Sequence, residues 1–239
     1  MEEQETTLSS RYRGILLDVD GTLVDSNDTH ADAWVRALRE NGYDVSFEKI
    51  RPLMGMGGDN LLPTAVGLDK ESEEGKKISE RRGEIFRELL PTIRPFPGTR
   101  ELISFLQKSG FQVVVATSAP DQEVDPLLEI AQVRDLIPQQ TTADDAENSK
   151  PDPDIIHAAL RRLGLPAEET VLLGDTRFDI EAAAKAGVGT IALRCGGATN
   201  EELAGAIAIY EDPEDLLERF EASPLAQAAP LEVGALSPP

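Results

Sequence analysis

The chain has 239 residues, which is enough for one large domain or for a core domain that carries a smaller insert. Its formal net charge is −21, from 44 acidic and 23 basic residues, and this negative field repels nucleic-acid phosphates and anionic membranes. We therefore expect neither nucleic acid nor a membrane as a partner, and a site for an anionic substrate would need a bound divalent cation and a lysine.

The single cysteine indicates a reducing compartment. Cys195 has no second cysteine with which to form an intramolecular disulfide. The acidic first residues lack the basic and apolar regions of a signal peptide, and the apolar runs are too short to cross a membrane. A cytoplasmic protein, either a monomer or a homodimer, is therefore expected.

Short apolar runs alternate with helical patterns along most of the chain. The first run, residues 14–19, reads as a buried strand that ends in carboxylates. This alternation predicts an α/β fold, a doubly wound parallel sheet of the Rossmann-like kind, which binds ligands at the carboxyl ends of its strands. Further strands are predicted at 111–116, 171–173, 188–193 and 206–209, and helices at 97–110, 153–164 and 180–186.

The stretch between the first and second predicted strands breaks this rhythm. It contains helical patterns with no convincing strand between them, which predicts an inserted helical-bundle cap. The termini have no periodicity, and we expect them to be flexible. The predicted organisation is a catalytic core of residues 12–26 and 95–222, a cap of residues 27–94, and flexible termini of residues 1–11 and 223–239.

The strongest chemical signal is the sequence DVDGTLVDS at 18–26. Asp18 and Asp20 follow the first strand directly, at the edge of the sheet where ligands gather, and Gly21 allows a sharp turn there. A pair of acidic residues before a turn would explain this motif alone without any chemistry. The rest of the chain argues against that explanation.

Three further groups stand at strand ends or helix starts. Thr117 and Ser118 follow the second core strand and offer hydroxyl and backbone N–H groups suited to phosphate oxygens. Lys150 lies just before a helix, among prolines that stiffen its approach. Asp175 and Asp179 follow another strand. Each has an ordinary structural explanation alone, but their conjunction at successive strand ends favours a phosphate site.

Together these motifs resemble those of the haloacid dehalogenase superfamily, in the capped branch that includes phosphoglycolate phosphatases and β-phosphoglucomutases. The matching pieces are DVDGT at 18–22, Thr117, Lys150, GDTRFD at 174–179, PFPGTRELI at 95–103 and GVGTIALRCGG at 187–197.

The resemblance implies a two-step phosphoryl transfer. Asp18 would be the nucleophile that forms an aspartyl-phosphate, which water then hydrolyses. Mg²⁺ would bind the carboxylates of Asp18 and Asp175 and the backbone carbonyl of Asp20, with Asp179 bound directly or through water. Mg²⁺ is thus the expected cofactor.

The remaining catalytic roles are implied in the same way. Lys150 and Thr117 would offset the charge on the transferring phosphoryl oxygens. Asp20 would be the general acid and base, which requires a raised pKa. Superfamily members that act as dehalogenases lack this second aspartate, and phosphonate-cleaving members carry a small residue there. Phosphate-ester chemistry is therefore favoured.

The cap is expected to select the substrate. His30 lies either at the edge of an apolar stripe or within reach of the substrate, and the sequence leaves both open. The loop that contains Gly55 and Gly57 is expected to face the site. A β-phosphoglucomutase would have an arginine near Gly58, so the glycine here weakens that alternative.

The function expected from these residues is that of a Mg²⁺-dependent phosphatase acting on a small phosphomonoester, of the phosphoglycolate or sugar phosphate type. One alternative is a β-phosphoglucomutase-like phosphotransferase. A more distant alternative is a phospho-accepting signalling module of the receiver type, which shares strand-end aspartates and a lysine. That fold has neither a large helical insert after its first strand nor a terminal GDxxxD motif.

Overall fold

A computed structural model describes residues 11–227. In this range six parallel strands form one sheet. The strands are β1 Gly14–Leu17, β2 Gln112–Ala116, β3 Gln140–Thr141, β4 Thr170–Gly174, β5 Gly189–Leu193 and β6 Ala208–Tyr210. Their order in the sheet is β3-β2-β1-β4-β5-β6, and the predicted α/β fold with a doubly wound parallel sheet is confirmed.

The central strands are apolar because both faces of the sheet are covered. In β1, Leu16 belongs to the apolar cluster on one face, whereas Ile15 and Leu17 belong to the cluster on the other. Leu17 lies opposite Val115 of β2 and Leu173 of β4. The carboxyl ends of these three strands are therefore side by side.

Five helices pack on the two faces. Residues of α7 and α8 join the cluster on one face, and residues of α5, α6 and α9 join the cluster on the other. The described helices of this part are α5 Thr99–Lys108, α6 Asp121–Ile130, α7 Asp154–Leu163, α8 Arg177–Lys185 and α9 Pro213–Glu218.

Four helices lie in the chain between β1 and α5. The chain leaves and re-enters the sheet region through two adjacent connections, with Asp25 N 2.9 Å from Arg94 O and Phe96 N 3.1 Å from Leu23 O. These hydrogen bonds hold the base of the insert together. The helices of the insert are α1 Asn27–Glu40, α2 Phe47–Ile50, α3 Gly58–Val66 and α4 Glu73–Leu89.

Some elements differ from the sequence-based expectation. β3, α6 and α9 were not predicted; β3 has only two residues, too few for a pattern. The prediction of a flexible segment from residue 223 is wrong for residues 223–227, because Ser223 and Leu225 are buried and Leu225 joins the apolar cluster of Phe220. The flexible termini predicted at 1–10 and 228–239 lie outside the described residues. Within residues 11–227, no helix is both long and apolar enough to cross a membrane.

Candidate active site

Five of the predicted site residues meet at the carboxyl edge of the sheet. Asp18 follows β1, Thr117 follows β2 and Asp175 follows β4, and the parallel register places these three strand ends together. Lys150 reaches the same point from the segment before α7, and Asp179 from the first turn of α8. All five side chains are buried.

Lys150 bridges two of the carboxylates. Its Nζ lies 2.6 Å from Asp18 Oδ1 and 2.7 Å from Asp179 Oδ1, and the lysine side chain is fully buried. Burial alone would lower the pKa of Lys150, but the charges of Asp179 and Asp18 outweigh it and raise that pKa. The ammonium is thus a fixed positive charge.

The carboxylates carry more negative charge than Lys150 offsets. Burial, together with the charges of Asp179 and Asp20, raises the pKa of Asp18 to about 7 despite the opposing effect of Lys150. The pKa of Asp175 is also well above its ordinary value, because of burial and the nearby Asp179 and Asp18. Oxygens of Asp18, Asp175 and Asp179 lie within 4.8 Å of one another. This donor set, all oxygen with excess negative charge, fits a hard divalent cation.

Two neighbouring side chains, which the sequence motifs did not single out, orient these carboxylates. Thr22 Oγ1 lies 3.3 Å from Asp18 Oδ2 and 3.2 Å from Asp175 Oδ1, so that it can donate to either. Asn27 Nδ2 donates to Asp175 Oδ2 at 2.8 Å and to the carbonyl of Gly196 at 3.1 Å. Thr22 was visible inside the DVDGT motif, but its contacts become apparent only in three dimensions.

Close packing explains two glycines beside the cluster. A Cβ on Gly21, whose φ is 74°, would lie 2.1 Å from Asn27 Nδ2. A Cβ on Gly196 would lie 1.8 Å from Asp175 Oδ2. Either side chain would displace the groups that hold Asp175.

Asp179 is held from both sides. Besides its contact with Lys150, it accepts hydrogen bonds through Oδ2 from the Thr176 hydroxyl at 2.6 Å and the Thr176 backbone N–H at 3.0 Å. Thr176 and Asp179 form a reciprocal cap at the start of α8. The geometry therefore makes Asp179 an anchor for Lys150 as well as a member of the acidic cluster.

The Asp20 carboxylate has different partners from the other aspartates. Its Oδ1 lies 2.5 Å from Ser26 Oγ and 2.8 Å from His30 Nε2. Burial raises the pKa of Asp20, but His30 and Ser26 outweigh it and the net shift is downward. The expectation of a raised Asp20 pKa is wrong for the protein without substrate, because the sequence could not show this histidine contact.

His30 combines the two environments that the sequence left open. Its ring stacks on Phe86 of α4, with centroids 3.8 Å apart and planes 13° apart, while its Nε2 contacts Asp20. The His30 side chain is 11% exposed. His30 thus packs inside the helical insert and also reaches the carboxylate of the site.

Thr117 and Ser118 face the same cavity. The Thr117 backbone N–H donates to Thr141 O at 3.1 Å, so this one of the backbone N–H groups expected near phosphate oxygens is already paired. Its hydroxyl accepts from Ala119 N at 3.1 Å, which leaves the hydroxyl proton free to donate. Ser118 Oγ accepts from Lys150 N at 3.4 Å.

The cap loop closes over this cavity, which has a volume of about 50 Å³. A Cβ on Gly55 would lie 2.7 Å from the Thr176 side chain, and one on Gly57 would lie 2.1 Å from Ser149 Oγ. Both glycines therefore allow the loop to approach the sheet edge closely. The cavity is lined by Asp18, Asp20, His30, Gly55, Gly57, Thr117 and Ser118, among others.

An ion pair that the sequence did not reveal stands at the same cavity. Arg82 of α4 contacts Glu123 of α6, with Nη1 2.8 Å from each carboxylate oxygen. The Arg82 guanidinium also lies over the Trp34 ring, 5.1 Å from its centroid. Nothing in the separate helical patterns of α4 and α6 could indicate this contact.

Comparison with known proteins agrees with this fold and identifies the family. The haloacid dehalogenase-like hydrolase family matches residues 15–193, and the chain belongs to that family. The resemblance stated from the sequence motifs is thereby confirmed.

Particular relatives lie within the same family. A phosphoglycolate phosphatase from Pseudomonas savastanoi pv. phaseolicola is 32% identical, over 76% of this chain and 69% of its own length. A phosphorylated carbohydrates phosphatase from Thermotoga maritima is 30% identical, over 85% of this chain and 95% of its own length. The crystal structure of a hydrolase from Pseudomonas syringae superposes with a TM-score of 0.82 at 30% identity, covering 88% of this chain and 98% of that one.

Proposed function

We propose that this protein is a Mg²⁺-dependent phosphatase that hydrolyses a small phosphomonoester, of the phosphoglycolate or sugar phosphate type, through an aspartyl-phosphate. The observation that carries the proposal is the buried pair of Asp18 and Lys150 beside Asp175, in a cavity that Asp20 also lines. Relatives named as phosphatases of phosphoglycolate and of phosphorylated carbohydrates support it.

The acidic cluster would hold the Mg²⁺. Asp18 and Asp175 would supply carboxylate ligands, the Asp20 backbone carbonyl a third, and Asp179 a direct or water-mediated contact. The raised pKa values of Asp18 and Asp175 are consistent with this assignment, because they reflect burial of the carboxylates together with the negative charge of neighbouring aspartates. When bound, the ion would supply charge neutralisation between the nucleophile and the phosphate dianion.

Asp18 is proposed as the nucleophile. Its Oδ1 is held by Lys150 and its Oδ2 lies near Thr22, so the carboxylate has a fixed orientation. An attack by Asp18 on phosphorus forms the aspartyl-phosphate and breaks the bond to the leaving alcohol. Lys150 and the Thr117 and Ser118 hydroxyls would stabilise charge on the phosphoryl oxygens.

Asp20 is proposed as the general acid and base. It would give a proton to the leaving alkoxide and then take one from the water that attacks the aspartyl-phosphate. The lowered pKa of Asp20 suits the second, base-catalysed step directly. For the first step, the negative charge of an arriving phosphate would raise that pKa, and His30 would position the carboxyl group through its hydrogen bond.

Gly58 bears on the mutase alternative. A Cβ at this position would lie 3.2 Å from Trp34 Cζ2, so the indole ring would have to shift by a few tenths of an ångström to admit any side chain. The glycine itself, where a phosphoglucomutase-like enzyme would have an arginine, favours a phosphatase. The four helices inserted between β1 and α5 likewise distinguish the chain from the receiver-type alternative.

A panel of phosphate esters tests the proposal. The purified protein should release inorganic phosphate from small esters with Mg²⁺, lose that activity in EDTA, and recover it poorly with Ca²⁺, whose larger and looser shell misplaces the nucleophile. Glucose 1-phosphate should yield phosphate or remain unchanged. Rapid formation of glucose 6-phosphate, stimulated by glucose 1,6-bisphosphate, would instead support the mutase, and full activity after exhaustive chelation would refute the metal dependence.

A further inference from the structure

The Arg82–Glu123 pair lies where the catalytic cavity meets a larger groove. Both residues line the cavity of about 50 Å³ that contains Asp18 and Asp20. Both also line a groove of about 790 Å³ between the helical insert and the sheet. When a phosphoryl group is bound at Asp18, the alcohol part of the ester would therefore meet this ion pair on its way to the groove.

The pair presents no uncompensated positive charge to a substrate. Arg82 Nη1 contacts both oxygens of Glu123, and the two side chains are 13% and 1% exposed. A second anionic group on the substrate would be attracted by Arg82 and repelled by Glu123 at similar distances. Drawing Arg82 away would leave a buried carboxylate unpaired, which is costly.

The groove itself is acidic. Apart from Arg82 and Glu123 themselves, six carboxylates on the described walls of the groove stand against two cations, Lys70 and Arg87. A leaving group with a carboxylate or a second phosphate would meet net negative charge along this path. The groove and the ion pair therefore disfavour the same class of substrate, for independent reasons.

An uncharged hydroxyl group suits the pair better. Arg82 Nε is buried and has no hydrogen-bond partner among the described residues, so a hydroxyl group that reached it would supply the missing partner. A hydroxyl group can accept from a guanidinium N–H and donate to a carboxylate oxygen at once, which an anion cannot do. Satisfying a buried donor that is otherwise unpaired contributes to affinity.

We propose that the Arg82–Glu123 pair makes the enzyme selective for phosphate esters of uncharged, hydroxyl-bearing alcohols, that is, sugar and polyol phosphates, over esters whose leaving group is an anion. This inference rests on the proposed phosphatase function and deepens it. It separates the two substrate types named above, because phosphoglycolate has a carboxylate in its leaving group.

Glycerol 3-phosphate and 3-phosphoglycerate form a matched test pair, because they differ in a hydroxymethyl group against a carboxylate at one end. The wild-type kcat/KM for glycerol 3-phosphate should exceed that for 3-phosphoglycerate by about tenfold or more. Glu123→Gln keeps the side-chain size but releases the charge of Arg82, so the ratio should fall by at least about threefold. Arg82→Met leaves the carboxylate without its cation, and the ratio should rise.

Glu147→Gln is the control for a general change of charge. It removes one carboxylate from the same groove, and Glu147 has no described hydrogen bond to Arg82. The change that Glu147→Gln causes in the ratio of the two kcat/KM values should be less than half the change that Glu123→Gln causes. Thermal unfolding of each variant shows whether it is folded, and the wild-type ratio tests the proposal even if Glu123→Gln does not fold.

The outcomes separate this inference from the function on which it rests. A wild-type preference for 3-phosphoglycerate, or a folded Glu123→Gln variant with an unchanged ratio, would overturn the selectivity while leaving the phosphatase assignment intact. p-Nitrophenyl phosphate serves as a third, general substrate. If the protein with Mg²⁺ hydrolyses none of the three esters, the phosphatase assignment itself would be overturned.

Discussion

Lys150 Nζ lies 2.6 Å from Asp18 Oδ1, and this buried contact ties the proposed nucleophile to the group that would neutralise the phosphate. The same ammonium contacts Asp179 at 2.7 Å. One cation is thus shared by two carboxylates, with Asp175 beside them. The stability of the metal-free protein should therefore depend on the protonation of this cluster.

Mg²⁺ should stabilise the fold more at high pH than at low pH. The pKa of Asp18 is about 7 when folded, against an ordinary value of 3.8, so the folded state binds more protons between these values. The metal-free protein consequently loses stability as the pH rises through this window. A bound cation would offset that loss, whereas protons would compete with it at low pH.

Thermal unfolding measures this effect. At about pH 8, a Mg²⁺ concentration of a hundred times its Kd should raise the free energy of unfolding by about 2.7 kcal/mol. This corresponds to a rise in Tm of roughly 5–10 °C. At about pH 5 the rise should be much smaller. Asp175→Asn, which removes a proposed ligand, should abolish the pH-dependent difference. An equal Mg²⁺ effect at both pH values would show that the cation binds elsewhere.

Asp20→Asn should harm esters with basic leaving groups most. An alkyl alkoxide needs a proton to leave, whereas p-nitrophenolate leaves largely unaided, and general acid catalysis contributes about 10²–10⁴-fold. The loss of rate caused by Asp20→Asn should therefore be larger for the alkyl phosphate than for p-nitrophenyl phosphate, by a sizeable part of that range. Pre-steady-state kinetics with p-nitrophenyl phosphate should then show a burst followed by slow dephosphorylation. Equal losses of rate for both substrates, without a burst, would mean that Asp20 acts only through the metal site and not as a general acid or base.

His30→Phe should move the acidic limb of the pH–rate profile to higher pH. The variant keeps an aromatic ring against Phe86 but removes the contact of Nε2 with Asp20, which holds the pKa of Asp20 below its ordinary value. Without that contact Asp20 would remain protonated to higher pH, so a smaller fraction of the enzyme would have the ionised base at acidic pH. The measurement is kcat against pH under conditions in which dephosphorylation limits the rate.

Phe86→Leu provides the control, because it removes the ring stacking and keeps the hydrogen bond between His30 and Asp20. Its acidic limb should stay close to that of the wild type. A limb that moves equally in both variants would mean that His30 acts through packing and not through Asp20.

The sequence predicted the residues that follow strands better than it predicted contacts between distant helices. Asp18, Thr117 and Asp175 could be placed together because parallel strands end at one edge of a sheet. The direction of the Asp20 pKa shift could not be predicted, because it depends on how α1 brings His30 to the carboxylate.

Contacts across the cap and the sheet region were even less accessible from the sequence. Arg82 and Glu123 belong to α4 and α6, and α6 itself was not predicted. Their pairing depends on how the two parts dock. Leu225 was likewise assigned to a flexible tail, because a single buried leucine among small residues and prolines has no periodicity.

The most direct test of the account is to trap the phosphorylated residue. Rapid acid quenching during turnover, followed by peptide mass spectrometry, should find one phosphoryl group on the peptide that contains Asp18. Asp18→Asn should lose both that label and turnover by at least about 10³-fold, since an amide cannot form the acyl-phosphate, while its Tm shows that it is folded. Phosphorylation of another residue, or activity in Asp18→Asn within about tenfold of wild type, would contradict the account.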